Sequence, residues 1–134
     1  MPKIIRTLLV LLLALLPLAA SARSTELSDP DPIAIPAGMA PEKVAQAIRS
    51  ALIGRTWTVT KQQPGRIDAT LHIRSHTATI AVTYDAQQIH IAYVSSDNLK
   101  YNEKKNGKRT IHSNYMQWIQ NVVLDLQRQL QAMV

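Results

Sequence analysis

The sequence predicts an α+β fold: a two-layer sandwich in the order α-β-β-β-β-α. Three observations carry that expectation. Two segments flanking the middle of the chain repeat their apolar residues at helical spacing. Between them lie four segments that alternate apolar and polar residues and are joined by short turns. Only one face of the alternating set is apolar, so an antiparallel four-stranded meander should be covered on one side, by both helices.

The first helix is expected to open at Pro41, where a missing N–H costs nothing at N1. Val44, Ala47, Ile48, Ala51 and Leu52 fall on one stripe, and Gly54 is the expected C′ stop. The first strand covers Thr56 to Gln62, with Trp57 and Val59 sharing a face, and turns at Gln63-Pro64-Gly65. The second, Arg66 to Ser75, directs Ile67, Ala69, Leu71 and Ile73 inward. A tight reversal near Ser75-His76 leads to the third, Thr77 to Tyr84, with Ala78, Ile80, Val82 and Tyr84 inward. The fourth, Gln88 to Val94, directs Ile89, Ile91 and Tyr93 inward. Ser95 to Thr110 reads as a polar connection whose first residues favour a turn. Within it Asn106-Gly107 signals a two-residue hairpin, pairing Tyr101–Lys105 with Lys108–His112. The last helix runs from about Ser113 to Met133, capped by His112 or Ser113. Its stripe is Tyr115, Ile119, Val122, Val123, Leu126 and Leu130, with Trp118 at the margin.

The N-terminal end carries a different pattern. Lys3 and Arg6 precede a leucine-rich run from Thr7 to Leu16, Pro17 breaks it, and Ala20-Ser21-Ala22 offers a small-residue cleavage site. Residues 1–22 therefore read as a signal peptide cut after Ala22, which predicts a periplasmic or secreted protein with no membrane span left after cleavage. Residues 23–40 are rich in proline, serine and aspartate and are expected to be an extended or disordered linker, with Ile33 and Ile35 able to tack it to the domain. Residues 41–134 form the single predicted domain. The chain has no cysteine, which excludes disulfides, thiolate metal sites, a cysteine nucleophile and a lipidated cysteine. The net charge is +6, falling to about +4 once Lys3 and Arg6 leave. That balance favours anionic lipid headgroups, anionic glycans or an acidic protein patch, and is too thin and too exported for nucleic acid.

No catalytic or metal motif stands out, and the chain is read as a non-enzyme without cofactor. His72, His76 and His90 are scattered over strands, with His72 and His90 kept about 9–10 Å apart at closest by the strand between them. Ser95, Ser96, Asp97 and His112 hold the residue types of a hydrolytic triad but no nucleophile elbow or oxyanion loop. A hydrolase or metal enzyme using His112 or His72 is the second reading. A dimer through the Thr-rich outer face, with Thr77, Thr79, Ala81 and Thr83 beside Arg66, Asp68, His72 and Arg74, is the third. The leading candidate is a binding site on the basic hairpin. Lys100, Lys104, Lys105, Lys108 and Arg109 fall within ten residues, with Glu103 the one acid among them. A two-residue turn would set Lys105 against Lys108 and Lys104 against Arg109, a repulsion that an anion relieves. Asn98, Tyr101, His112 and Tyr115 are expected to join this site where the loop meets the last helix. The plainer role for Tyr115 and Trp118 is to pin the loop to the core.

Ser95-x-x-Asn98-Leu99-x-Tyr101, followed by Ile111-His112-x-x-Tyr115-x-x-Trp118-Ile119, resembles a pattern of small exported bacterial proteins of uncharacterised function, periplasmic or lipoprotein-like. The likeness extends over about Val44 to Leu126 and is specific over the last third. It implies a bacterial envelope setting and supplies no activity; the absent lipobox cysteine departs from it.

Overall fold

A computed structural model describes residues 23–134; the expected signal peptide, residues 1–22, lies outside the described residues. Over these residues the protein is α+β, with two helices and two antiparallel sheets. In chain order the elements are β1 (Ser24–Glu26), β2 (Ile33–Ala34), α1 (Pro41–Gly54), β3 (Thr58–Gln63), β4 (Arg66–Ile73) and β5 (His76–Tyr84). They continue with β6 (Gln88–Asp97), β7 (Asn102–Glu103), β8 (Arg109–His112) and α2 (Ser113–Ala132).

The larger sheet has five strands, ordered β2-β6-β5-β4-β3, where the sequence predicts four. The four alternating strands lie in chain order, and the fifth comes from the proline-rich stretch. Ile33 pairs with Ile89 and Ala34 with Gln88. The prolines permit this because of where they fall. The Ile35 N–H donates to the Gln87 carbonyl, so residues 33 and 35 turn their backbone groups toward β6. Pro32, Ala34 and Pro36 have the opposite parity, and a proline on the outer edge of a strand forfeits no ladder bond. The rest of the expected linker is also tied down. β1 pairs with β8 from Ser24↔His112 to Glu26↔Thr110, and Leu27, Ile33 and Ile35 are buried. The smaller sheet, β1-β8-β7, was legible only as the β7–β8 ribbon.

All five stripe residues of α1 and all six of α2 are buried. They belong to one hydrophobic cluster with Ile67, Ala69 and Leu71 of β4, Ala78, Ile80 and Val82 of β5, and Ile89 and Ile91 of β6. The end of α1 departs from expectation. Gly54 is the last helical residue, and the left-handed position falls two residues on, at Thr56, with φ 71°. Trp57 N–H bonds the Leu52 carbonyl and Thr56 N–H the Ile53 carbonyl, the two bonds of a Schellman closure. Burial of Trp57 over the core, 3% exposed, places the reversal at Thr56 rather than at the glycine.

The strand ends also shift. β3 starts at Thr58 and carries a bulge between Val59 and Lys61. β6 continues to Asp97, because a bulge at Val94 restores the ladder: Ile80 pairs with Tyr93 and Thr79 with Ser95. Ser95, Ser96 and Asp97 are therefore strand residues, and the turn falls on Asn98 to Lys100.

Candidate functional site

The hairpin is built by backbone geometry that the two-residue reading misses by one position. Asn102 pairs with Thr110 and Glu103 with Arg109. Lys104 N–H bonds the Lys108 carbonyl and Gly107 N–H bonds the Lys104 carbonyl, so the loop is the three residues Lys105-Asn106-Gly107. Gly107 takes φ 85°, the left-handed residue that completes a turn-plus-bulge hairpin. The Asn106 side chain accepts from Lys108 N–H and stiffens the turn. This register replaces the expected pairs. Lys104 faces Lys108, Lys105 lies in the turn, and Arg109 faces Glu103 across the ladder. The Arg109 guanidinium also lies 3.7 Å from the Asp29 carboxylate. Arg109 thus has a carboxylate partner in Asp29, and the unpaired charge of the site rests on lysines.

The tyrosines form a stack that begins at the surface and ends in the core. Tyr101 lies parallel on Tyr93, with centroids 4.6 Å apart, and Tyr93 meets Tyr115 edge-on at 5.6 Å. Tyr101 is 37% exposed and Tyr115 only 2%, so Tyr115 offers no face to a ligand and pins the loop instead. Burial pushes the Tyr115 phenol well above its ordinary value, and that of Tyr93 upward as well. Asp29 accepts from the Tyr93 backbone N–H at 3.0 Å, joining the N-terminal arm to the same cluster.

His112 sits at the start of α2. Its Nδ1 accepts from the Asn114 N–H at 3.1 Å, which caps the helix and assigns the ring proton to Nε2. His76, expected as a lone surface histidine, is its neighbour, with ring centroids 6.1 Å apart; Trp118 lies 6.3 Å from His76. His76 Nδ1 is 2.6 Å from the Asn98 carbonyl, a geometry that requires Nδ1 to be the donor. Asn98 Nδ2 donates to Ser75 Oγ at 2.8 Å. These bonds clamp a strained turn: Asn98 and Lys100 have φ of 57° and 56°, while Leu99 between them is buried and its carbonyl accepts from His112 N–H. The pattern residues of the last third therefore divide. Leu99, Ile111, Tyr115 and Ile119 are core, and Asn98, His112 and Trp118 surround the clamp.

Two of the hydrolytic candidates already hold hydrogen bonds, and the metal candidates form no cluster among the described residues. Ser96 Oγ bonds the Tyr93 hydroxyl, and His112 Nδ1 accepts the capping bond from the Asn114 N–H. His72 lies beside Thr77 and His90 pairs with Thr83, at opposite ends of β5 and roughly 20 Å apart along it, beyond the expected closest approach. No group of three or more metal-ligating side chains occurs among the described residues, and no helix there is long and apolar enough to cross a membrane. On the outer sheet face the polar residues bond one another, Thr70 to Thr79, His72 to Thr77 and Arg66 to Asp68.

His76 and Asp29 were not legible as site residues. Their partners are 22 and 64 residues away, and no local pattern encodes such pairings. Comparison with family models, curated proteins and solved structures finds no match to the chain.

Proposed function

We propose that the chain is an exported, non-catalytic binding or accessory module that contacts an anionic envelope component through the β7–β8 hairpin. One observation supports this reading above the others. Lys104 and Lys108 face each other at the hairpin end, beside Lys105 in the turn, and none of the three forms an ion pair among the described residues. Like charges held opposite one another cost stability, and an anion removes that cost. Headgroups of an anionic lipid surface suit this site best, since flexible lysines gain affinity there without a shaped pocket. Export rests on the pattern of residues 1–22. That both helices cover one face of the larger sheet is part of the same reading; the single cluster joining their stripes to β4, β5 and β6 supports it.

Co-sedimentation with phosphatidylcholine vesicles, with and without phosphatidylglycerol, tests the proposal. Binding should require the anionic lipid and weaken with salt. The combined Lys104→Gln, Lys105→Gln and Lys108→Gln substitution should weaken it about a hundredfold, at about 1 kcal/mol per lysine. Equal binding to neutral vesicles, or undiminished binding of the triple variant, overturns it.

A further inference from the structure

A groove runs between the N-terminal arm and α2 and meets the hairpin at Asp29, the partner of Arg109. It comprises two adjoining concavities of 440 and 510 Å³ that share Ile33 and Gln127. The first is walled by Asp29, Asp31, Met116 and Ile119 among others, the second by Ala34, Ile35 and Leu130. Among the described residues no lysine or arginine lines either one, although the chain as a whole is basic.

Along this groove lies the open edge of the larger sheet. β2 is the terminal strand beside β6, and Ile33 and Ile35 turn their backbone groups toward β6. Ala34 therefore presents its N–H and carbonyl outward, and it lines the groove. Pro32 and Pro36 share that outward parity and carry no N–H, so this edge offers carbonyl acceptors and a single donor. Such an edge pairs with a short extended segment but not with a long strand. The carboxylates at one end select the charge of that segment. Asp29 is already engaged by Tyr93 N–H and Arg109, whereas Asp31 has no ion-pair partner among the described residues.

We propose that the groove binds an extended peptide of a partner protein by strand addition to β2. The peptide bonds Ala34 through its backbone, lays apolar side chains against Pro32, Met116 and Val134, and sets a lysine or arginine against Asp31. This proposal does not rest on the hairpin lysines and stands or falls without them.

Two probe peptides decide the matter: acetyl-Val-Lys-Val-Thr-Val-amide and its counterpart with glutamate for lysine, titrated into the ¹⁵N-labelled protein. The lysine peptide should shift the Ala34 amide and the Gln127 side-chain amide. It should bind about fivefold more tightly than the glutamate peptide. Asp31→Asn should erase that preference. Ala34→Pro deletes the single outward donor while leaving the Ile33 pairing to β6 intact, and should abolish binding. Unchanged Ala34 and Gln127 signals, equal affinity for the two peptides, or full binding by the proline variant overturns the proposal. The Asp31→Asn arm keeps the test decisive if Ala34→Pro perturbs the fold.

Discussion

Thr56 is a β-branched residue held at φ 71°, a conformation that costs an L-residue about 1–2 kcal/mol relative to glycine. The cost is accepted because the Schellman bonds from Thr56 and Trp57 close α1 and bring Trp57 onto the core. Thr56→Gly should therefore stabilise the protein by about 1 kcal/mol, read as a raised denaturant midpoint at constant slope. A fall in the midpoint would show that the threonine side chain makes compensating contacts. His112 carries a second residue-scale expectation. It is an uncommon cap, and removing its acceptor strands the Asn114 N–H. His112→Ala should cost about 1 kcal/mol, while His112→Asn, which supplies an oxygen acceptor, should recover most of it. Equal losses in both variants would place the role of His112 in its packing beside His76 rather than in the cap.

At the scale of elements, the two helices are joined by an ion pair that titrates. The Asp125 carboxylate lies 2.6 Å from Arg55 Nε and 3.4 Å from Arg128. Hydrogen bonding from Arg55, reinforced by its charge, holds Asp125 below its ordinary value. Asp85 in the β5–β6 turn is lowered in the same direction by the backbone N–H groups of Gln87 and Gln88. A carboxylate lowered on folding stabilises the native state above its unfolded value and loses that contribution as pH falls through its folded value. Stability should decline below about pH 4, the range of unperturbed carboxylates. Urea denaturation as a function of pH should show a shallower acid limb in Asp125→Asn and Asp85→Asn; parallel limbs would remove both groups from the account. Element type was legible from periodicity, since the eleven stripe residues of the two helices are all buried. Element ends were not. The bulges at Val94 and Thr60, and the one-residue shift of the hairpin, arise from ladder hydrogen bonds that apolar alternation does not report.

At the scale of the whole molecule, the N-terminal arm is structural. It supplies one strand to each sheet, three core side chains in Leu27, Ile33 and Ile35, and the Asp29 carboxylate that meets Tyr93 and Arg109. Burying such side chains contributes about 1.5–3 kcal/mol each, against a typical total stability of about 5–15 kcal/mol. Deletion of residues 23–40 should leave a chain without cooperative thermal unfolding or dispersed amide resonances. A deletion variant that still unfolds in one sharp transition would return the arm to the status of a linker.

The opening expectation of an α+β domain was determined by local sequence, because a helical stripe and an alternating strand each reveal their buried face within a few residues. The basic hairpin was equally visible, since its lysines are neighbours in the chain. Tertiary structure alone decided the fifth strand, the smaller sheet, the pairing of Arg109 with Asp29 and Glu103, and the meeting of His76 with His112. Each joins residues far apart in sequence or depends on ladder register. Such contacts form only when burial of the shared core offsets the entropy of closing the chain between them.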